Sequence, residues 1–145
     1  MVTVERSALV GYSADDLYSL VEDVEAYPDF LPWCAAAEVT SRDGPRAVVT
    51  LLIQYRGLRQ RFTTRNTFTA GERIEMTLVD GPFRRLDGEW RFAPLGKRGC
   101  RVELTLAYEL RSALLARIVG PTFDQIANTF VDAFVRRADD LYGSG

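Results

Sequence analysis

The side chains here with chemical potential are carboxylates, arginines, two cysteines and a run of aromatics; histidine is absent. That absence removes the commonest general base, the commonest transition-metal ligand and every Ser-His or Cys-His nucleophile pair. Cys34 and Cys100 are far apart and form no CxxC or other metal-like spacing, so neither a metal nor a cofactor is expected. The carboxylates nearest to a catalytic reading are Asp80, Asp87 and Glu89. Asp80 sits in an Asp80-Gly81-Pro82 turn, where capping the turn is its ordinary work. Alternation places Asp87 and Glu89 on the polar side of their strand. A cyclase or dehydratase needs an acid or base inside a cleft, and no catalytic residue is assigned here.

Two other groupings remain. Arg56, Arg59, Arg61 and Arg65 lie close together, and the last three share one parity; Arg84 and Arg85 extend a basic patch. Such a stripe suits phosphate contacts, which position without reading sequence, and it equally suits a solvated antiparallel face. The formal charge of −2 supplies no global field toward nucleic acid, and no DNA partner is expected. On the opposite parity, Gln60, Thr64 and Asn66 accompany Phe62 and Phe68, mixing polar and aromatic groups on one face. Isolated polar groups in an apolar cleft orient a ligand's polar head.

These residues need elements to hold them. Apolar residues make up 47% of the 145 residues and charged residues 26%, a globular balance with enough chain for a real core. Residues 2–10 alternate as a first strand. Ser13 reads as an N-cap with Asp15 and Asp16 in the first helical turn, followed by an apolar face of Leu17, Leu20, Val21 and Val24. Pro28 and Pro32 end that helix and leave an aromatic segment from Tyr27 to Trp33. From Ala35 to Leu110 the chain reads as strands 38–41, 46–55, 58–69, 73–79, 85–94 and 101–110, joined by short turns at glycines and therefore antiparallel. Ile74, Met76 and Leu78 share an apolar face, as do Leu86, Gly88, Trp90 and Phe92. So do Val102, Leu104, Leu106, Tyr108 and Leu110.

A one-sided sheet needs a cover. Leu115, Ile118, Val119, Phe123, Ile126, Phe130, Phe134 and Leu141 recur at helical spacing and supply it, with Gly120-Pro121 kinking the helix or splitting it in two. The expected fold is α+β, a curved antiparallel sheet of six to seven strands wrapped around a long C-terminal helix. A helix across a curved sheet leaves space beneath part of it. The candidate walls are Phe62, Phe68, Met76, Leu78, Trp90, Phe92, Phe123, Ile126 and Phe130, with Gly88 leaving room among large neighbours. Tyr27, Phe30 and Trp33 would form a lip able to touch a membrane surface. The same aromatics also read as ordinary core.

Several stretches resemble one known family. Tyr27-Pro28-Asp29-Phe30-Leu31-Pro32-Trp33-Cys34 is similar to the YPxFLPWC segment of the coenzyme Q-binding protein family, which includes the bacterial ribosome-association toxin. Phe62 to Asn66, Leu78 to Leu86, Gly88 to Phe92 and the C-terminal segments at 126–127, 133–134, 137–138 and 142–143 agree as well. The resemblance implies a START-like, helix-grip fold of the polyketide cyclase/dehydrase and lipid transport superfamily. It implies binding or chaperoning of ubiquinone or a related polyprenyl lipid in support of respiration or quinone synthesis. The alternative it carries is binding to the large ribosomal subunit to block subunit joining. Pro121 departs from the family pattern. Residues 1–143 are expected to form a single ligand-binding domain, with 144–145 a tail. No secretory signal or membrane-length apolar run is seen, so the expected place is the cytoplasm, with peripheral contact at the inner membrane.

Overall fold

Local signals set the first elements. In the computed structural model, which describes residues 2–143, strand β1 spans Val2–Val10. The tail expected at 144–145 lies outside the described residues. The Ser13 hydroxyl accepts the Asp16 amide at 3.1 Å and so starts helix α1, Ala14–Glu22. Leu17 and Val21 are buried on its inner face, and Val24 is buried in the 3₁₀ turn that follows (Val24–Asp29). The strands then run as a meander: β2 Cys34–Asp43, β3 Arg46–Tyr55, β4 Leu58–Thr69, β5 Arg73–Asp80, β6 Phe83–Leu95 and β7 Gly99–Leu110.

All seven strands pair antiparallel in the order β1-β7-β6-β5-β4-β3-β2. The link through α1 and the 3₁₀ turn therefore carries the chain from one sheet edge to the other. Register shifts interrupt β2 against β3, β4 against β5 at Thr63/Thr64, and β6 against β7 at Phe83/Arg85. Each such bulge adds local bend and twist, which curls the sheet around its apolar face.

The C-terminal cover is split, as Gly120-Pro121 predicts. Helix α2 is Ala113–Ile118, and helix α3 is Gly120–Tyr142. Pro121 falls in the first turn of α3, where the missing N–H has no helical partner to lose. One expectation fails at this split: Ile118 is 56% exposed. The 3.6-residue period does not carry through Gly120-Pro121, and α2 fully buries none of its side chains, although Leu115 packs half-buried against the core as expected. Leu141, also expected inward, lies beyond Ala138, the last buried residue of α3, and is exposed.

Helix α3 lies asymmetrically in the grip. Its backbone runs close to β1, β7 and α1 and stands farther from β2 through β5. Polar bonds secure that near side: Tyr108 donates to Asp124, Arg6 to Asn128 at 2.5 Å and Tyr12 to Asp139 at 2.6 Å. On the far side only side chains span the gap. No helix among the described residues is long and apolar enough to cross a membrane.

Candidate ligand cavity and basic face

The gap between α3 and the middle strands is filled from α3 by side chains one turn apart. Phe123 meets Phe83 and Tyr108, with ring centroids 4.9 and 4.7 Å away, and Phe62 at 6.1 Å. Further along, Phe130 packs edge-on against Trp33 and Trp90 at 5.3 and 5.5 Å, and Phe134 joins Trp90 at 5.3 Å. Between the two aromatic groups lies an enclosed apolar cavity. Its floor is Val49, Leu51 and Ile53 of β3, Phe62, Thr64 and Asn66 of β4, Met76 of β5 and Trp90 of β6; its roof is Phe123, Ile126, Ala127 and Phe130.

Of the expected ligand contacts, Tyr27, Trp33, Phe62, Met76, Trp90, Phe123, Ile126 and Phe130 line this cavity. The other four lie elsewhere. Phe92 stacks parallel to Trp90 and meets Tyr18 of α1, on the side away from the space. Phe68 sits beneath the Arg42 guanidinium near the β2–β3 edge. Leu78 is half-buried at the rim of the core. Phe30 packs on Tyr27 and Phe134 under Arg137. The lip also turns inward more than expected. Tyr27, Leu31 and Trp33 are buried, because the 3₁₀ turn rolls this segment onto α3 rather than out to solvent. Sequence reasoning missed Val49, Leu51, Ile53 and Ala127; the even alternation of β3 was the available signal.

The space is also small. The cavity measures about 50 Å³, well below the roughly 300 Å³ where pockets for drug-sized ligands begin. Gly88 does not leave room. A Cβ there would lie 2.6 Å from Met76 Cε and 2.9 Å from Leu106 Cδ1, so those side-chain ends already occupy the notch. Register sets this up, since Met76, Gly88 and Leu106 are cross-strand neighbours on β5, β6 and β7.

The lining's one titratable side chain is Tyr27, which donates to the Val21 carbonyl at 2.5 Å. Burial pushes its pKa well above the ordinary tyrosine value, so it stays protonated. Burial likewise raises the Cys34 thiol to about 11. The candidate acids lie outside. Asp80 accepts from the Gly81 amide at 3.0 Å, Asp87 pairs with Arg85 at 2.7 Å, and Glu89 pairs with Arg91.

On the outer face, charge is divided by strand. On β5 to β7, Arg73, Arg84, Arg85, Arg91 and Arg101 each bridge a carboxylate. Arg59, Arg61 and Arg65 of β4 are exposed, and none of them bridges a carboxylate among the described residues. Arg56 joins them at the hairpin tip, its guanidinium 5.2 Å from the Tyr55 ring centroid. Arg84 and Arg85 do not extend this stripe. β5 separates them from β4, and their charges are taken by Glu109 and Asp87.

Residues 10–135 match the family described as polyketide cyclase / dehydrase and lipid transport. The chain belongs to this family. A ribosome association toxin RatA of Pseudomonas aeruginosa is 45% identical over 140 residues, covering 97% of each chain. At 26% identity, the mitochondrial coenzyme Q-binding protein COQ10 homolog B of Xenopus laevis aligns with 98% of this chain and 60% of its own length. Among solved structures, an 18 kDa protein of Caulobacter crescentus matches with a TM-score of 0.77 at 32% identity, covering 99% of this chain and 100% of that one. The Zhui aromatase/cyclase of Streptomyces matches at 0.86 with 18% identity, covering 99% and 98%, and shares the fold. The α+β helix-grip architecture expected of a START-like family member is thus the observed one.

Proposed function

We propose that this chain binds a hydrophobic ligand between its sheet and α3 without transforming it, the ligand being ubiquinone or a related polyprenyl lipid held in support of respiration or quinone synthesis. The observation that carries this is the apolar cavity under the unsecured side of α3, lined by aromatic and aliphatic side chains. Each buried prenyl methylene contributes about 0.8 kcal/mol, so a few units bind usefully without a charged anchor. The closed cavity admits such a ligand only by expanding. Met76 and Phe130 are its half-buried, displaceable walls, and among the described residues the far side of α3 has no polar bond to break. A lining without carboxylate, lysine or arginine supports binding over acid–base chemistry. The name of the Xenopus relative points the same way. The proposed place of action is the cytoplasm, with transient contact at the inner membrane where such lipids reside.

Organic extraction of natively purified protein, followed by mass spectrometry, tests this reading. A stoichiometric polyprenyl lipid is expected, lost in Trp90→Ala and in Ala127→Leu, which fills the cavity while keeping an apolar roof. Protein that is empty and also refuses added quinone overturns it.

A second reading rests on the unbridged arginines of β4, together with the relatives named for ribosome association. In it, Arg59, Arg61 and Arg65 contact phosphates of the large ribosomal subunit. Replacing all three with glutamine is expected to weaken co-sedimentation and to lower the slope of log affinity against log salt by about three. An unchanged slope removes those residues from any such contact.

A further inference from the structure

Among the described residues, only two polar side chains are buried in the core, Thr64 and Asn66, each 5% exposed. Both stand on the inner face of β4, two residues apart, in the stretch of sheet from which α3 stands away. The Thr64 hydroxyl donates to Asn66 Oδ1 at 2.8 Å. That bond occupies the amide's acceptor and leaves its two N–H donors. No protein acceptor for them is found among the described residues, and no buried side-chain nitrogen or oxygen is sealed off without a partner. The amide nitrogen is therefore not sealed within the packing, and Asn66 is one of the residues that line the cavity.

A leucine at this position would avoid the cost of desolvating an amide. The neighbours of the pair across the sheet are Ala47 and Val49 on one side and Met76 and Leu78 on the other. Nothing in that surrounding needs the donors. We infer that Thr64 and Asn66 form a head-group subsite, in which Asn66 donates to a carbonyl or ether oxygen of the ligand while Thr64 fixes the amide's orientation. The inference rests on the cavity reading and adds to it a class of head: a hydrogen-bond acceptor, uncharged, set against the sheet, with the apolar tail passing between Met76 and the α3 aromatics. A charged head is excluded because no countercharge lines the space.

The test compares two probes with the same ten-carbon tail, a dimethoxy-methyl-benzoquinone and plain benzene, by titration against the full chain. Wild type is expected to prefer the quinone by about tenfold, the value of one good hydrogen bond. Asn66→Leu is expected to abolish the preference, keep the affinity for the alkylbenzene and melt no lower than wild type. Thr64→Val frees the amide to turn and is expected to reduce the preference partway. It provides the same readout should Asn66→Leu fold poorly. A preference that survives in the folded variants overturns the subsite, as does equal weakening of both probes. Wild-type protein that binds neither probe overturns the cavity reading itself, and the subsite falls with it.

Discussion

Arg56 holds a left-handed backbone conformation, φ 51°, beside Gly57 at 82°, and together they close the β3–β4 hairpin with two positive-φ residues. Turns of this shape favour Asn-Gly, and a side chain such as arginine costs about 1–2 kcal/mol there. Arg56→Asn is expected to raise stability in urea by up to about 1 kcal/mol, and a neutral or negative result would mean that the Tyr55 contact compensates. Gly88 works in the opposite sense. Gly88→Ala should push Met76 into the cavity, cost about 1 kcal/mol of overpacking and weaken ligand binding; adding Met76→Ala should restore binding. Titration of the single and double variants checks this. At this scale, strand parity made Thr64, Asn66 and the β4 arginines legible. That Arg84 and Arg85 stand apart from this stripe was not legible, because strand order and their pairing with Glu109 and Asp87 leave no mark in simple alternation. The occupied notch at Gly88 was equally hidden, since it depends on where the end of a flexible methionine lies.

Helix α3 derives its position from unequal fastenings. The bond from Tyr108 to Asp124 is buried at its donor end, whereas those from Arg6 and Tyr12 are exposed. Tyr108→Phe is expected to cost about 1.5–3 kcal/mol in chemical denaturation, the range for a hydrogen bond to a charged group. Asn128→Ala should cost under about 1 kcal/mol, because water replaces the exposed partner. If both cost the same, the helix is not held chiefly at that point. Strands β1, β3 and β4 were read to the residue because glycine turns and alternation agree there. The span of α3 was readable from its apolar period, and the split from Gly120-Pro121. Its lateral offset was not, because the fastenings join residues more than a hundred positions apart, or a tyrosine to an aspartate that no local pattern links.

Across the whole molecule, the lack of histidine leaves no side chain with an ordinary pKa between about 5 and 8. Melting temperature should therefore be flat across that window. It should fall at alkaline pH for a stated reason. Burial raises the pKa of Tyr27 and Tyr108 above the usual value, and that of Cys34 to about 11. Each group binds its proton more tightly folded than unfolded. The stabilisation is complete below about pH 9 for the thiol and about pH 10 for the phenols, and it is lost as pH rises past those values. A melting temperature that holds steady to pH 11 would contradict this. The architecture as a whole was legible because a one-sided sheet and an amphipathic helix admit few arrangements; the small size of the cavity was not, because volume depends on rotamers. One consequence follows from where the indoles sit. The chain has two tryptophans, and both Trp33 and Trp90 border the cavity. An electron-poor quinone ring held in that cavity would quench much of the protein's intrinsic emission, while a saturated chain of equal length would leave it bright. Occupancy should then be readable in a fluorimeter, in the unlabelled protein, within the time of mixing.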